Sequence, residues 1–197
     1  MKITSVMKIL IINGHPDKES YCHALAQQYY NGAKERESSV SILHLTELKF
    51  NPILEYGYRK RTELEPDLVD AIAKIKEADH IVWIFPMWWY STPALLKGFI
   101  DRTFLPGITF DYEKGKSLPK KLLKGKTARI IITSDTPRWF DFLFMRSPAI
   151  NQFKRGTLGF TGFKPVKVTY IATLKKSKEA FRKKWLEKVF RLGKNSL

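Results

Sequence analysis

The sequence contains one cysteine, Cys22, among 197 residues, so an intrachain disulfide framework is excluded. A reducing compartment is the usual setting for such a chain, and we expect a cytoplasmic location. Long apolar runs are also missing: the run at residues 9–12 is far shorter than the roughly 20 residues that cross a bilayer. We interpret it as a strand rather than a signal peptide, because no small-residue cleavage site follows. We expect no direct membrane insertion, and we expect residues 1–6 to be a disordered extension.

Several catalytic signatures are missing as well. The sequence has no GxGxxG, no GxxxxGK(S/T), no HExxH, no CxxC and no GxSxG. Nucleotide triphosphate hydrolysis, metal chemistry and Ser-His-Asp hydrolysis therefore lose support, and we expect no metal site. A chain without a strong nucleophile is typical of proteins in which a bound organic cofactor carries the chemistry.

Positive charge is plentiful, since 35 Lys and Arg residues against 19 Asp and Glu residues give a formal net charge of +16. A basic surface attracts anions such as nucleic acid, acidic lipid or phosphate-bearing small molecules. No nucleic-acid recognition motif accompanies this charge, so we expect no nucleic-acid partner. We interpret the basic segment at residues 175–184 as the solvated face of a helix.

Short apolar runs alternate with amphipathic stretches along the chain. Predicted strands cover residues 8–13, 40–45, 80–85, 128–133 and 166–171. Predicted helices cover residues 20–35, 93–104, 151–160 and 177–192, and a further helix begins at Pro66. This alternation predicts one α/β domain over residues 1–197, a three-layer sandwich whose five-stranded parallel sheet has the order 2-1-3-4-5.

Ligands of such sheets bind beyond the carboxyl ends of the strands, at the point where the strand order reverses. This rule selects the loops that follow the first, third and fourth strands. The third-strand loop contains Trp88, Trp89 and Tyr90, which suit either a flat conjugated ligand or a protein interface. The first-strand loop leads to a helix start with Ser20 as its predicted N-cap, and free N–H groups there suit a phosphate. His15 is either a ligand contact or a structural turn residue.

The segment FPMWWYSTPALLKGFIDRTF, residues 85–104, carries a family resemblance. It resembles F-P-x-x-W-(F/Y)-x-x-P-A-(I/L)-L-K-G-(W/F)-x-(D/E)-R-x-F, a pattern of the NAD(P)H:quinone oxidoreductase and modulator-of-drug-activity-B family of flavodoxin-like flavoproteins. The segments NGHPDKESYCHALA and KFNPIL resemble the same family in the expected order. The segment TSDTPRWF departs from the Thr-Thr-Gly-Gly of the long-chain quinone reductases and is similar to a shorter bacterial branch.

The resemblance implies a flavodoxin-like fold, a homodimer, and a noncovalent flavin: FAD, or alternatively FMN. NAD(P)H would reduce the flavin, and a quinone-like acceptor would reoxidise it by two-electron hydride transfer. The residues that it assigns to the cofactor are His15, Ser20, Tyr21, Cys22, Pro86, Met87, Trp88, Trp89, Tyr90, Thr133, Ser134, Asp135 and Thr136. It assigns catalytic roles to Trp89, Tyr90 and Tyr112.

Two further expectations follow from the resemblance. Phe110 and Tyr112 would cover the substrate pocket of the partner subunit, and Asp101 matches an acidic residue near the cofactor. Where TSDTPRWF departs from the family, we expect backbone N–H groups near Thr136 to support the reduced ring. The alternative function is a flavin-bound ancillary subunit of a membrane potassium-efflux system, and a one-electron shuttle is a third possibility.

Overall fold

The computed structural model describes residues 6–36 and 38–195. The predicted N-terminal extension lies outside the described residues except for Val6. Seven strands and six α-helices follow in order: β1 Lys8–Asn13, α1 Tyr21–Lys34, β2 Ser39–His44, α2 Pro66–Glu77, β3 His80–Pro86, α3 Ala94–Thr103, β4 Phe110–Asp111, β5 Lys120–Lys121, β6 Thr127–Thr133, α4 Arg138–Leu143, α5 Pro148–Asn151, β7 Val166–Ile171 and α6 Glu179–Lys194. A 3₁₀-helix at Leu45–Glu47 and a π-helix at Gln152–Gly159 complete the described elements.

Five strands form a parallel sheet with the order β2-β1-β3-β6-β7. Counted along the sheet-forming strands alone, this is 2-1-3-4-5, and the predicted topology is confirmed. The central strand β3 is buried along its whole length, as its uninterrupted apolar sequence predicts for a strand covered on both faces. The order reverses between β1 and β3, which places a ligand crevice at their carboxyl ends.

Side chains alternate between two apolar layers, one on each face of the sheet. Leu10 and Ile12 of β1 pack in the layer that contains α2, α3 and the π-helix. Ile9 and Ile11 of the same strand pack in the layer that contains α1 and α6. This alternation follows from the twofold period of a strand, and it produces the predicted three-layer sandwich.

Helices α1 and α6 approach closely because a glycine lies at each crossing point. A Cβ at Gly32 would lie 2.0 Å from the carbonyl oxygen of Phe190, and one at Gly193 would lie 2.2 Å from that of Tyr29. No side chain fits at these distances, so the two glycines bring the backbones into contact. This contact packs the last turns of the two helices together, and the hydroxyl of Tyr21 joins the first turn of α1, where the candidate site lies, to the carbonyl oxygen of Arg182 on α6.

The structure also contains elements that the sequence did not predict. Helix α4 and the hairpin of β4 and β5 lie in segments left without an assignment. The helix predicted at 151–160 is present, but most of it is a π-helix, whose wider turn does not produce the 3.6-residue period that predicts an α-helix. The second strand lies one residue earlier than predicted, within the usual uncertainty of element ends.

Candidate active site

A cleft of about 300 Å³ opens at the carboxyl ends of β1, β3 and β6, at the reversal point of the sheet. It is lined by His15, Tyr21, Cys22, Pro86, Met87, Trp88, Thr133, Ser134, Asp135, Leu174, Lys175 and Arg182. Nine of the residues that the resemblance assigned to the cofactor are therefore brought together around one opening. Ser20, Trp89, Tyr90 and Thr136 adjoin these residues in sequence but do not line the cleft.

The first turn of α1 forms one wall. Ser20 caps the helix: its Oγ accepts a hydrogen bond of 3.3 Å from the backbone N–H of His23, as its predicted N-cap role requires. Its side chain is therefore engaged in the cap. Tyr21 does line the cleft, and its hydroxyl donates to the carbonyl oxygen of Arg182 at 2.7 Å. Burial raises the pKa of Tyr21 to about 12, which keeps this hydroxyl protonated.

The floor of the cleft joins α1 to β6. The sulfur of Cys22 lies 3.5 Å from Oγ1 of Thr133, and both residues are buried. Burial raises the pKa of the Cys22 thiol to about 12, so the group is a neutral thiol across the physiological range. Cys22 is therefore a small apolar filler with a weak hydrogen bond rather than a nucleophile.

His15 is held by the loop in which it lies. Its backbone N–H donates to Oδ1 of Asn13 at 3.2 Å, and its Nδ1 accepts from the backbone N–H of Asp17 at 3.0 Å. Burial lowers the pKa of His15, with Asp17 opposing the effect, so the neutral ring is favoured. Because Nδ1 accepts, Nε2 carries the proton. The ring meets Trp88 edge-on with 5.5 Å between the ring centres.

The loop after β3 ends in a tight turn whose two central residues are both aromatic. The N–H and C=O groups of Trp88 and Ser91 exchange hydrogen bonds of 3.1 and 2.9 Å around this turn. Trp89 and Tyr90 have φ values of 50° and 56°, in the left-handed region that side chains disfavour. Trp89 is 97% exposed. Such strain concentrates at ligand sites, where the surrounding structure holds it in place.

The loop after β6 forms the opposite wall. Oδ1 of Asp135 accepts from the backbone N–H of Lys175 at 2.6 Å, which holds the loop after β7 against the cleft. The N–H of Thr136 donates to Oγ of Ser134 at 2.9 Å, and its carbonyl oxygen accepts from the hydroxyl of Tyr170 at 3.1 Å. The N–H of Thr136 itself is thus already engaged, so a role of this loop in supporting a reduced ring would fall to neighbouring backbone N–H groups.

Sequence reasoning missed Leu174, Lys175 and Arg182, which come from the loop after β7 and from α6. The signal was present, since both cations belong to the basic segment at residues 175–184. That segment was interpreted wholly as a solvated helix face: both residues are exposed, but they also line the cleft, and Lys175 lies in the loop before α6. The bonds from the N–H groups of Leu174 and Lys175 to Ser134 and Asp135 place the loop, and the packing of α6 against α1 places Arg182.

Phe110 and Tyr112 lie apart from this cleft. They line a second cavity of about 560 Å³ together with Asp101, Phe160 and residues of the π-helix. The ring of Phe110 meets those of Tyr112 and Phe160 at centre distances of 5.6 and 5.0 Å. Asp101 forms an ion pair of 2.6 Å with Lys97. A single chain thus does not bring Tyr112 or Asp101 to the cleft that holds the other assigned residues.

Within the described ranges, no cluster of three or more His, Cys, Asp and Glu side chains could hold a metal ion. The same residues include no helix long and apolar enough to cross a membrane.

A family model described as a flavodoxin-like fold matches residues 7–192 of the chain. The chain belongs to the flavodoxin-like family. A curated relative of this flavodoxin-like protein is the ribosyldihydronicotinamide dehydrogenase (quinone) of Pongo abelii, 28% identical over 189 residues that cover 80% of this chain and 78% of the relative. The family placement made from residues 85–104 is thereby confirmed.

Two solved structures resemble the flavodoxin-like chain over nearly its whole length. Smu.1420 from Streptococcus mutans UA159 is 33% identical, covers 96% of this chain and 100% of its own, and superposes with a TM-score of 0.83. An FMN-dependent NADH-azoreductase from Bacillus anthracis str. Ames Ancestor, solved in complex with FMN, is 18% identical, covers 96% of this chain and 99% of its own, and has a TM-score of 0.75. At that identity the second likeness shows the fold alone.

The cleft of this flavodoxin-like protein fits a flavin in three respects. The first turn of α1 and the cations Lys175 and Arg182 suit a phosphate. The ring of Trp88 and the strained turn beside it suit a flat ring system. The neutral groups Cys22 and Tyr21 line the space between with hydrogen-bonding capacity and no charge.

Proposed function

We propose that the chain is a flavin-dependent NAD(P)H oxidoreductase that delivers two electrons to a quinone or a similar flat acceptor. The observation that carries this proposal is the convergence, at one sheet-end cleft, of a helix N-terminus, two cations and a strained aromatic turn. The names of the relatives support it, since one is a nicotinamide-dependent quinone dehydrogenase and one an FMN-dependent NADH-azoreductase.

The phosphate end of the cofactor would lie against α1. Lys175 and Arg182 both line the cleft, in addition to the first turn of α1. Two cations beside a helix N-terminus suit a pyrophosphate better than one phosphate, and we therefore favour FAD, with FMN as the alternative. The hydroxyl of Tyr21, fixed on the carbonyl of Arg182, holds α6 in place at this end.

The ring end would lie against the loop after β3. Trp88 would form its wall, Pro86 and Met87 would exclude water from its edge, and the turn of Trp89 and Tyr90 would border the space left for the second substrate. A bound flavin supplies the ability to accept a hydride from NAD(P)H and to pass it to the acceptor. The protein's contribution is to place the nicotinamide and the acceptor in turn against that ring.

We further propose that the protein works as a homodimer in the cytoplasm. The support is the separation of the two cavities: the family resemblance assigns Phe110 and Tyr112 to the acceptor site, yet they lie in the second cavity of their own chain. In the dimer, the second cavity of one copy would face the cleft of the other. The potassium-efflux alternative gains no support from the relatives reported above, which carry enzyme names.

The experiment that tests the cofactor assignment uses the purified full chain. We expect a yellow protein that releases FAD on denaturation, identified by mass spectrometry. Replacement of both cleft cations (Lys175→Gln with Arg182→Gln) should weaken rebinding of FAD to the apoprotein. The matched control, Lys183→Gln with Lys184→Gln, changes two cations of α6 that do not line the cleft and should rebind FAD normally. A colourless protein that takes up neither FAD nor FMN would contradict the proposal.

A further inference from the structure

His44, the last residue of β2, is bonded to a buried side chain of the neighbouring strand. Asn13 is its partner in the parallel pairing of β1 and β2, and Asn13 is fully buried. The distance from Nδ2 of Asn13 to Nδ1 of His44 is 3.2 Å. An amide nitrogen only donates, so Nδ1 of His44 is the acceptor and the neutral ring carries its proton on Nε2.

The oxygen of the same amide holds the first-strand loop, residues 14–20. Oδ1 of Asn13 accepts from the backbone N–H of His15 at 3.2 Å, and His15 lines the cleft. Asn13 therefore presents its NH₂ group to His44 and its only side-chain oxygen to His15. The amide keeps this orientation as long as His44 accepts a hydrogen bond.

Two further contacts join the end of β2 to the candidate site. The rings of His23 and His44 stack with 4.2 Å between their centres and 8° between their planes, which ties β2 to the first turn of α1. The hydroxyl of Thr46 donates to the carbonyl oxygen of Pro16 at 2.7 Å. The end of β2 thus supports both parts of the site that suit a phosphate, the first-strand loop and the helix start.

We propose that His44 is a positioning residue for the flavin phosphate: as a neutral acceptor it orients Asn13 so that the first-strand loop is held in place, and its protonation releases that loop. A protonated His44 donates from both ring nitrogens. The single oxygen of Asn13 cannot then satisfy His44 and the His15 N–H together. The charged donor forms the stronger bond, so the amide turns toward it and the His15 N–H loses its acceptor.

The charged and titratable groups that act on His44 are His23 of α1, Lys18 of the first-strand loop and Glu47 of the 3₁₀-helix. Burial lowers the pKa of His44 from its usual 6.5, and a charge on His23 lowers it further. Glu47 raises this pKa and Lys18 lowers it, and these two side chains form an ion pair of 3.2 Å. The loop should therefore be fully held above pH 6.5 and be released as the pH falls through the pKa of His44.

The direction of the pH effect separates this role from simple electrostatics. A positive charge at His44 by itself attracts an anionic phosphate, so electrostatics alone predicts tighter binding in acid. Release of the loop predicts weaker binding in acid. The consequence for flavin rests on the proposed function, whereas the bonds among His44, Asn13 and His15 do not.

Titration of the purified apoprotein with FAD at pH 7.5 and pH 5 tests the proposal, because the pyrophosphate of FAD keeps its charge over this range. We expect the Kd to be about fivefold higher at pH 5, the size expected for the loss of one hydrogen bond. His44→Gln supplies an acceptor oxygen that takes no proton, so it should bind tightly at pH 7.5 and lose the pH dependence. His44→Leu supplies no acceptor and should bind more weakly at both pH values. Circular dichroism establishes that each protein is folded.

Nuclear magnetic resonance of the ¹⁵N-labelled protein tests the bonds without flavin. Long-range ¹H–¹⁵N correlation should find the proton of His44 on Nε2 at pH 7.5. The backbone amide signal of His15 and the side-chain NH₂ signal of Asn13 should shift with the same midpoint as the His44 ring. This shared transition should be absent from His44→Gln.

Three results would overturn the inference. They are a His44 ring with its proton on Nδ1 at pH 7.5, a wild-type Kd for FAD that stays constant or falls toward pH 5, and a His44→Gln variant that keeps the wild-type rise. The last would assign the pH dependence to another group, such as His15. A chain that binds no flavin would contradict the proposed function, and the resonance titration would still decide whether His44 positions the loop.

Discussion

The sulfur of Cys22 lies 3.5 Å from Oγ1 of Thr133, and this contact joins the first turn of α1 to the end of β6 at the floor of the cleft. Both side chains are buried, and neither carries charge at neutral pH. Cys22, the only cysteine of the chain, is thus a structural group in the candidate site, and its thiol is shielded from reagents.

Cys22 should be unreactive in the native protein. Burial raises the pKa of its thiol to about 12, so at pH 8 the thiolate that attacks disulfide reagents is nearly absent. Titration with Ellman's reagent should find no reactive thiol in native protein and one per chain in guanidinium chloride. A rapid reaction of the native protein would show that the first turn of α1 opens.

The strained turn of Trp89 and Tyr90 should lower the stability of the apoprotein and raise its affinity for flavin. Trp89→Gly removes a left-handed strain and loses almost no packing, because the side chain is 97% exposed. We expect the free energy of unfolding of the apoprotein to rise by about 1 kcal/mol, and the affinity for flavin to fall. Chemical denaturation and fluorescence titration measure the two effects. Trp89→Ala keeps the strain, so it should weaken flavin binding without stabilising; equal stability of the two variants would refute the strain argument.

Arg102 should be essential for the long segment between β2 and α2. Its buried guanidinium donates to the carbonyl oxygen of Glu63 at 2.7 Å and to the carboxylate of Glu65 at 2.8 Å. Arg102→Met removes the donor to Glu63 and the cation beside Glu65, which keeps the N–H of Asn51, and should lower the free energy of unfolding by about 2–3 kcal/mol. Lys97→Met breaks the exposed ion pair with Asp101 on the same helix and should cost less than about 1 kcal/mol. Thermal unfolding of the two variants measures this difference, and equal losses of unfolding free energy in both would contradict it.

His80 should make the protein sensitive to mild acid. Burial, aided by Arg129 and Lys167, lowers its pKa from 6.5 to about 4, and its ring is bonded to Thr127 and Tyr29. Between these pH values the unfolded chain binds a proton at His80 that the folded chain does not. The free energy of unfolding is therefore unaffected by His80 above pH 6.5 and falls as the pH drops toward 4, by about 3 kcal/mol at most.

The variant His80→Gln separates this effect from the titration of other groups. Its unfolding free energy should be lower at pH 7 and should change less between pH 6.5 and 4, as urea denaturation at each pH would show. A wild-type profile as flat as that of the variant would rule out His80 as the titrating group.

The parts of the fold that were predicted from sequence are those with local causes. The uninterrupted apolar run of β3 and the Ser20 cap of α1 each follow from a few adjacent residues, and the topological rule for parallel sheets then locates the cleft. What could not be predicted depends on contacts between distant segments. Arg182 reaches the cleft because α6 packs on α1, a contact that depends on Gly32 and Gly193, and Lys175 reaches it because its N–H is bonded to Asp135.

The same reasoning explains why α4 and the second cavity were missed. Helix α4 is six residues long and buries its Asp141 while exposing its aromatic side chains, which inverts the pattern by which helices are recognised. Phe110 and Phe160 meet across fifty residues of sequence, and the π-helix that places Phe160 has no sequence signature of its own. Interactions of this kind appear only in the folded chain.

We expect the cleft to hold a flavin that exchanges electrons with NAD(P)H and an acceptor. Anaerobic stopped-flow absorbance at the flavin band measures both electron transfers. Mixing the yellow protein with NADH or NADPH should bleach the band in one phase without a stable one-electron species, and menadione added afterwards should restore it. A band that neither nucleotide bleaches, or a bleached protein that menadione does not reoxidise, would contradict the account.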